Sequence, residues 1–551
     1  MKTNAVARIL DILRFEKKEI SAIYFYAVLS GLVQLSLPLG IQSIISFVLG
    51  GSLSTSLVLL IILVVIGVFV SGLLQVNQMK IIEKIQQKLF VRYSFLYAYN
   101  IPGINLKAVD GYHLPELTNR FFDTVSLQKG LAKLLLEVPA ATLQIFFGLI
   151  LLSFYHPVFI FFGISLVSLL YLILRYTGNR GLQTSIEESN YKYKVAGWLQ
   201  EIARVASSFK FALGSQLHLN KTDKEVSGYL GARTNHFKIL LFQYWSLIIF
   251  KVIITAAMLI VGSFLLINQQ LNIGQFIAAE IVILIVMASV EKLIGNLDSV
   301  YDALTSVEKL AKLTDKPLEL NGDYKAIQNS KTGMSVAVKG LTFGYDQEKM
   351  ILQDISFSSK PGEKICICGE NGSGKSTLLR VLTGAYQPYQ GTIMFDNIPL
   401  KNYELNSLRS QTGVLFGVQD IFEGTLMENI TMGDQEISLE RIMELAVKIG
   451  LLEFFESEKE GLNLRLQPMG KKLSRKITHR ILLLRALIHQ PRLLLLEDPW
   501  LGLEHPEAEK IKHFLLHEMK QATMIISTSD ESFARACDQQ IRLSNGKRQL
   551  I

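Results

Sequence analysis

The sequence is poor in cysteine and, over one long stretch, entirely without charge. Only 3 of the 551 residues are cysteines, too few for the disulfide framework of a small secreted domain. Two of them, Cys366 and Cys368, alternate with isoleucines in an apolar run, which predicts core residues of a cytosolic strand. No Asp, Glu, Lys or Arg occurs from Ile20 to Met79. An uncharged run of this length is long enough for two membrane-spanning helices, which excludes an ordinary soluble protein.

The excess of basic residues suggests contact with a membrane surface rather than with nucleic acid. The net charge is +8, but the basic residues lie largely in loops beside apolar runs, which favours the cytoplasmic membrane surface and no nucleic acid. The first 19 residues are rich in charge, and the first apolar run is too long for a signal-peptide core, so no cleavable signal is expected. Residues 4–15 fit either an amphipathic helix lying on a membrane or an ordinary surface helix.

Six apolar spans are predicted, and Pro38 predicts a kink in the first. They cover residues 20–49, 55–79, 138–155, 157–174, 240–267 and 273–290. Short connections without Lys or Arg alternate with two long basic segments, 80–137 and 175–239. By the positive-inside rule, both termini and both long segments are cytoplasmic. Helical spacing predicts that Lys80–Tyr99 and Thr184–Leu213 continue the spans beyond the bilayer.

Two stretches and two charges in the first half of the chain are candidates for function. Residues 115–121 and 212–216 lie near the turns of the long segments and are predicted to contact a cytosolic domain. Lys251 and Glu280 fall inside predicted spans. Charges in a membrane are costly, so each is a candidate for a cavity or substrate contact, with a structural pairing as the alternative.

The second half of the chain has a different pattern. Residues 1–312 are predicted to form the transmembrane domain, 313–334 a polar linker, and 335–551 a nucleotide-binding domain. Apolar runs there predict strands at 336–338, 364–368, 392–395, 493–496 and 524–526. Helical spacing predicts helices at 378–382, 439–449, 477–487 and 507–519.

One motif explains this pattern: the run Gly369, Glu370, Asn371, Gly372, Ser373, Gly374, Lys375, Ser376, Thr377 matches the P-loop GxxxxGK[ST]. It lies between a predicted strand and a predicted helix, as the motif requires. Its backbone N–H groups and the start of the helix suit phosphate oxygens. Lys375 can reach the β- and γ-phosphates, and the Ser376 hydroxyl can bind Mg²⁺. The chain is therefore predicted to bind ATP.

Together, six spans, long cytoplasmic segments and a C-terminal P-loop domain resemble an ATP-binding cassette (ABC) exporter half-transporter. The resemblance covers nearly the whole chain. It implies a membrane α-helical bundle of six transmembrane helices joined to a C-terminal α/β P-loop ATPase domain. It also places Tyr345 where the family stacks an aromatic ring on adenine. The glutamine that helps to ligate Mg²⁺ in the family falls on Gly417, and Gln419, two residues later, is the available glutamine.

The motifs of hydrolysis depart from the family pattern. The signature LSGGQ is replaced by Leu-Ser-Arg-Lys-Ile at 473–477, which keeps Ser474 as a nucleotide contact and loses both glycines. Glu497 takes the Mg²⁺-associated position and Asp498 the position of the catalytic Glu, so the two are swapped in type. Asp498 is one methylene shorter than Glu, which is expected to slow water activation. Ser529 stands at the switch histidine.

These departures predict ATP binding with slow hydrolysis, in which Lys375 and Asp498 are the catalytic residues. Three alternatives stay open: a slow homodimeric exporter, the regulatory half of a heterodimer, and a structural or adaptor-coupled module that binds ATP without turnover. The spans exclude a soluble P-loop ATPase, and the resemblance disfavours an importer. The expected partners are a second half-transporter, membrane lipid, an unidentified substrate (lipid, drug or peptide) and, as an open alternative, a periplasmic adaptor. A bacterial inner membrane is the expected location.

Overall fold

The chain folds into two compact units. The computed structural model describes residues 4–50, 55–110, 114–212, 214–326, 332–346 and 349–549. The first unit comprises Met1–Pro102 and Tyr112–Asp315. The second comprises Gly103–Gly111 and Lys316–Ile551. The second unit is thus assembled from two separate parts of the sequence.

The first unit is built from helices alone within its described residues. They are α1 (Ala5–Phe15), α2 (Lys17–Gln34), α3 (Ser36–Leu49), α4 (Thr55–Gly103), α5 (Leu114–Thr118), α6 (Asp123–Tyr155), α7 (Val158–Arg204), α8 (Ala206–Phe211), α9 (Leu217–Ile267), α10 (Ile273–Gly295) and α11 (Leu297–Thr314). A 3₁₀ turn, Asn119–Phe122, joins α5 to α6.

Six of the helical segments in the described residues are long and apolar enough to cross a membrane, which confirms the predicted number. Most continue well past the apolar run: α4 is 49 residues long and α9 is 51. An α-helix rises about 1.5 Å per residue, so a 49-residue helix is more than twice as long as the hydrocarbon core is thick. The predicted extension of Lys80–Tyr99 lies within α4.

Two predicted helices are interrupted. The first span breaks at Leu35, three residues before Pro38, because Pro38 has no N–H to donate to the carbonyl one turn earlier. The predicted helix Thr184–Leu213 ends at Arg204; Val205 leaves helical geometry and α8 follows. Leu213 lies outside the described residues. The candidate contact stretch 115–121 forms α5 and part of the 3₁₀ turn, and the stretch 212–216 is described only in part.

Helix α1 covers most of the N-terminal segment 4–15, which was predicted to be a membrane-surface or an ordinary surface helix. In α1, Ile9 and Ile12 are buried while Val6 and Leu10 are exposed, and Arg8 forms an ion pair with Asp315 at the end of α11. The helix thus packs on its own unit through one apolar face and leaves other apolar side chains, Val6 and Leu10, exposed.

Lys251 forms an ion pair with an acid that the sequence did not single out. Lys251 Nζ lies 3.2 Å from Glu291 Oε2, and both residues are about half exposed. The pair joins α9 to α10. Glu280, also on α10, forms no ion pair among the described residues. Lys251 therefore has the structural pairing that was one of its two predicted roles.

The second unit is α/β. Its strands are β1 (Val336–Phe343), β2 (Leu352–Ser359), β3 (Lys364–Gly369), β4 (Gln390–Phe395), β5 (Ile398–Pro399), β6 (Thr412–Leu415), β7 (Gly424–Thr425), β8 (Arg465–Leu466), β9 (Leu493–Glu497), β10 (Thr523–Ser527), β11 (Gln539–Ser544) and β12 (Lys547–Gln549). Its helices are α12 (Lys375–Leu382), α13 (Leu405–Arg409), α14 (Leu426–Thr431), α15 (Leu439–Ile449), α16 (Leu452–Ser457), α17 (Arg475–Leu487), α18 (His505–His513) and α19 (Glu531–Ala536).

The strands form three sheets among the described residues. The largest has the order β12-β11-β3-β10-β9-β6, with all pairs parallel except β11-β12. An antiparallel sheet has the order β2-β1-β4-β5, and β7 pairs with β8. Strands β3 and β9 are both parallel to β10, so the loops that follow them open at the same carboxyl edge, where α/β sheets bind ligands. The predicted helix Glu507–Met519 is shorter: α18 ends at His513 and a π-helical turn, Phe514–Glu518, follows.

A separate segment, residues 103–110, completes the second unit. Ile104 is 1% exposed. The amide of Asn105 donates to Pro317 O (3.0 Å) and its side chain donates to Gln387 O (2.9 Å). The amide of Leu106 donates to Ala385 O (3.2 Å). The segment lies within the range 1–312 that the sequence assigns to the transmembrane domain, and the structure groups it with the nucleotide-binding residues.

Candidate nucleotide-binding site

The P-loop crosses from β3 to α12 in a conformation that depends on glycine. Gly369, Gly372 and Gly374 have φ of 145°, 81° and 101°. A Cβ on Gly369 would lie 2.2 Å from Leu543 O, and a Cβ on Gly374 would lie 2.9 Å from a Leu352 methyl. Side chains are therefore excluded at both places, and the backbone is left to approach a ligand closely. The loop ends at the first turn of α12, whose N–H groups point toward the loop.

Two polar side chains in the loop are arranged for an anion. Lys375 Nζ donates to Gly369 O and Glu370 O, both at 2.8 Å. Ser373 is 4% exposed, and its hydroxyl has no hydrogen-bond partner among the described residues. A buried hydroxyl without a partner is costly, so the loop is suited to a ligand that supplies acceptor oxygens. Glu370 and Asn371 are exposed at the tip of the loop.

Two of the three candidate Mg²⁺ ligands, Ser376 and Glu497, are brought together, and the third, Gln419, is not. The Ser376 hydroxyl donates to the Glu497 carboxylate at the end of β9. The other Glu497 oxygen accepts from the Gly417 amide at 3.2 Å. Gly417, which occupies the position of the family's glutamine, therefore contacts Glu497 through its backbone amide. Gln419 does not: its side-chain oxygen accepts from the Phe416 amide (2.9 Å), within its own loop. The structure thus joins Gly417, and not Gln419, to the predicted metal position.

The residue at the catalytic-base position, Asp498, directly follows β9 with φ +42°. Its amide donates to Ser527 O on β10 at 2.8 Å. Burial raises the pKa of the Asp498 carboxyl and the negative charge of Glu497 adds to this, while a hydrogen bond from Thr528 acts in the opposite direction. A carboxylate whose pKa is raised accepts a proton more readily, which suits a general base.

The adenine-stacking candidate, Tyr345, lies in a cluster of aromatic rings. Its ring centroid is 5.2 Å from that of Phe343 and 5.5 Å from that of Tyr386, both edge-to-face. Its hydroxyl lies 3.2 Å from that of Thr377, the last residue of the P-loop motif. The structure therefore places the predicted adenine contact beside the predicted phosphate contacts. Sequence reasoning missed Tyr386, although its position just after α12 in a Gly-Ala-Tyr run is a usable signal.

The signature residues are not joined to the P-loop by any hydrogen bond or ion pair among the described residues. Ser474 caps α17, its hydroxyl accepting from the Ile477 amide at 3.2 Å. Arg475 is exposed, and Lys476 forms an ion pair with Glu507. Lys476 is therefore already engaged, which leaves Arg475 as the more available cation of the two for a phosphate.

A histidine that the sequence reading did not consider lies beside Asp498. His479 Nε2 on α17 donates to the Asp498 backbone carbonyl at 3.0 Å, and burial lowers the pKa of the His479 imidazole. It holds the backbone of the base position, not its carboxylate. Ser529, at the switch position, is exposed and lies two residues after the end of β10.

All the cysteines of the sequence lie in this unit, near the P-loop. Cys366 is buried on β3, as predicted. Its sulfur is 3.3 Å from that of Cys368, the residue before Gly369. The hydrogen bond from Cys366 lowers the pKa of the Cys368 thiol to about 7, helped by the charges of Arg542 and Lys375 and opposed by burial.

The arrangement of P-loop, paired Ser and Glu, aromatic cluster and six long apolar helices defines an ATP-binding cassette transporter. The family model described as ABC transporter transmembrane region matches residues 20–290. The model described as ABC transporter matches residues 352–500. The two ranges together cover well over half of the chain. The chain therefore belongs to the ABC transporter family.

Two relatives illustrate the family. A probable ABC transporter ATP-binding/permease protein of Haemophilus influenzae is 30% identical over 290 residues, which cover 53% of this chain and 52% of the relative. The alpha-hemolysin translocation ATP-binding protein of Escherichia coli is 27% identical over 355 residues, 64% of this chain and 49% of the relative. The chain spans about half the length of the relatives it matches.

A solved structure shares the whole fold. A bacterial Atm1-family ABC exporter with ATP bound superposes with a TM-score of 0.85 at 17% sequence identity, covering 97% of this chain and 94% of that chain. The fold is therefore that of an ABC exporter, with the membrane helices and the ATPase region in one chain.

Proposed function

We propose that this chain is one half of a dimeric, ATP-driven exporter that binds ATP firmly and hydrolyses it slowly. The observation that carries the proposal is the contact between Ser376 and Glu497, beside an intact P-loop. This pair retains the groups that hold a nucleotide. The residues expected to complete hydrolysis are altered instead: the base is an aspartate, the switch is Ser529, and the signature lacks its glycines.

In this proposal, the binding step uses residues already in position. Lys375 exchanges the carbonyls of Gly369 and Glu370 for phosphate oxygens. Ser373 finds an acceptor for its buried hydroxyl. Tyr345 stacks on the adenine ring, which needs only a flat π face. Ser474 contacts the nucleotide held by the second subunit, as the signature does throughout the family.

The oxygen donors beside the P-loop fit a magnesium ion. Mg²⁺ takes hydroxyl and carboxylate oxygens, and the Glu497 carboxylate accepts from the Ser376 hydroxyl and the Gly417 amide. Ser376 and Glu497 would hold the ion. When bound, it neutralises charge on the β- and γ-phosphates.

Hydrolysis depends on Asp498. Its raised pKa favours acceptance of a proton from the attacking water, and the Thr528 hydroxyl orients its carboxylate. Its shorter side chain places the carboxylate farther from the γ-phosphate than a glutamate would, so the proton transfer is slow. The binding of ATP closes the dimer and biases the spans from inward- to outward-facing.

The test is Mg²⁺-ATP turnover by the purified chain in lipid, compared with Lys375→Ala. Lys360→Ala is the matched control, because Lys360 is exposed in the same unit and lies outside the P-loop. We expect slow turnover that Lys375→Ala abolishes and Lys360→Ala retains. Unchanged nucleotide binding in Lys375→Ala would refute the P-loop assignment.

Two other readings of the same site predict no turnover by the chain alone. If it is the regulatory half of a heterodimer, the addition of a second half-transporter restores turnover. If it is a structural or adaptor-coupled module, ATP closes the dimer and no partner restores turnover. We place the chain in a bacterial inner membrane with both termini cytoplasmic, since the long basic segments lie beside the apolar spans. The exported substrate is a lipid, drug or peptide, and a periplasmic adaptor fits the peptide case.

A further inference from the structure

Four basic side chains of the first unit gather around two residues of α7. Lys309 Nζ on α11 donates to Asn190 Oδ1 at 2.5 Å, and Lys312 Nζ lies 3.4 Å from the same oxygen. The cationic groups of Arg120, Lys192 and Lys309 lie 5.1, 5.1 and 5.8 Å from the centre of the Tyr193 ring. We call Arg120, Lys192, Lys309 and Lys312 the basic cluster.

Two members of the basic cluster are buried, whereas Lys192 and Lys312 are exposed. Arg120 is 8% exposed and Lys309 is 1% exposed. Two guanidinium nitrogens of Arg120, Nε and Nη1, are buried and have no hydrogen-bond partner among the described residues. A charged donor left without an acceptor costs more than a neutral one. Its position is therefore explained if an acceptor that the chain does not supply binds there.

The acids beside the cluster do not balance its charge. Asp123 is the buried acid; it accepts from the Tyr193 hydroxyl (2.7 Å) and from Lys192 Nζ (3.3 Å). Its carboxylate is thus used by two donors other than Arg120. Glu116 and Glu187 line the adjoining cavity, and neither forms an ion pair with the cluster among the described residues. A positive excess remains around Arg120, Lys309 and Lys312.

The cluster borders an open cavity large enough for a small molecule. The cavity has a volume of about 400 Å³, within the range of small-molecule sites. Arg120, Asn190, Tyr193 and Lys312 line it, and Lys194 adds a further positive charge. Its walls come from α5 and the 3₁₀ turn, from α7 and from α11. Polar donors held on three separate helices form a built site, since their positions are fixed by the packing of the bundle.

Counting along each helix excludes a lipid headgroup as the occupant. Arg120 lies 18 residues before the predicted span at 138, Asn190 lies 16 residues after the span that ends at 174, and Lys309 lies 19 residues after the span that ends at 290. At about 1.5 Å per residue, each is on the order of 25 Å from the hydrocarbon boundary. Three segments of the chain therefore give a similar distance from the hydrocarbon boundary, so we infer that the ligand comes from the aqueous phase.

We propose that this cavity binds a small soluble oxyanion, carrying phosphate or carboxylate groups, on Arg120 and Lys312, which line it, while Lys309, which shares the Asn190 oxygen with Lys312, adds positive charge. Guanidinium and ammonium groups are the protein donors that best recognise both groups. The site is separate from the P-loop and independent of the proposed export. A carboxylate of a second copy of the chain is the competing occupant, and it is an outcome of the test.

The experiment measures binding of citrate and of inorganic phosphate to the full chain in lipid nanodiscs by titration calorimetry. All variants carry Lys375→Ala, so that the P-loop contributes little to the binding of either probe. The test variants are Arg120→Gln and Lys312→Gln. Lys312 is exposed, so its substitution leaves the fold intact even if Arg120→Gln does not. Arg180→Gln is the matched control, because Arg180 is an exposed arginine on α7 outside the cavity.

We expect saturable binding of at least one probe, one per chain, that weakens at least tenfold in Lys312→Gln and Arg120→Gln and is unchanged in Arg180→Gln. A tenfold loss corresponds to about 1.4 kcal/mol, which the loss of one charge-assisted hydrogen bond is sufficient to cause. Absence of binding by both probes, or equal binding by all variants, would overturn the proposal. So would a structure of the dimer in which a carboxylate of the second subunit lies on Arg120.

Discussion

Lengthening the side chain at position 498 is expected to accelerate ATP hydrolysis. Asp498→Glu extends the carboxylate by one methylene, and a displacement of about 1 Å in a catalytic group can cost about a hundredfold in rate. Recovery of that loss corresponds to about 2.7 kcal/mol of barrier. The backbone acts against part of the gain. Residue 498 has φ +42°, where aspartate is tolerated better than most residues and others lose on the order of 1 kcal/mol.

The net expectation is a rise in turnover of at least tenfold for Asp498→Glu. The assay is phosphate release in lipid at saturating Mg²⁺-ATP, with nucleotide binding measured alongside. Asp498→Asn is the matched control, since it keeps the size of the side chain and removes the base; its turnover should fall below that of the unmodified chain. If Asp498→Glu binds ATP normally without a gain, and Asp498→Asn turns over as fast as the unmodified chain, Asp498 is not the base.

Three further predictions concern the surroundings of the site. Gly417→Gln should lower the Mg²⁺ concentration needed for half-maximal turnover severalfold, because a Cβ there has Glu497 Oε2 at 4.0 Å as its nearest contact; Gln419→Ala, which breaks only a hydrogen bond to its own loop, should leave that concentration unchanged, and the opposite pattern would restore Gln419 as the working residue. Tyr345→Ala should weaken ATP binding about tenfold or more, since stacking on a base contributes about 1–3 kcal/mol, whereas Tyr345→Phe keeps the ring and should bind as before; equal losses would show that the hydroxyl matters instead. Alkylation of Cys368 by iodoacetamide should rise with pH around a midpoint near 7, below the ordinary cysteine pKa of about 8.5; Cys368→Ser identifies the reactive site by mass, and a midpoint above 8 would contradict the lowered pKa.

Features written in contiguous residues were predictable from the sequence. The uncharged run from Ile20 to Met79 and the charge alternation of the loops determine six spans, which the structure has. The P-loop spacing predicts the crossing from β3 to α12. In each case one local rule decides the structure. The spans form because apolar residues leave water, and the P-loop forms because its three glycines permit positive φ.

Features that depend on distant residues were not predictable. Lys251 pairs with Glu291, 40 residues away, because α9 packs against α10, and composition does not determine which residues meet in that packing. The amide of Gly417 reaches Glu497 through the pairing of β6 with β9. A glycine carries no side-chain chemistry from which this contact could be read. The basic cluster likewise takes Arg120, Asn190 and Lys309 from three helices that only the packing brings together.

The position of segment 103–110 has a consequence for dividing the protein. Ile104 is buried in the second unit, and the amides of Asn105 and Leu106 donate to carbonyls of that unit. A fragment that starts at residue 316 therefore lacks segment 103–110, which belongs to the second unit. It leaves Pro317 O, Ala385 O and Gln387 O without their donors, together with the apolar surface that Ile104 covers. Such a fragment is expected to be less stable than its length suggests, and a peptide of residues 103–110 should rescue it in trans.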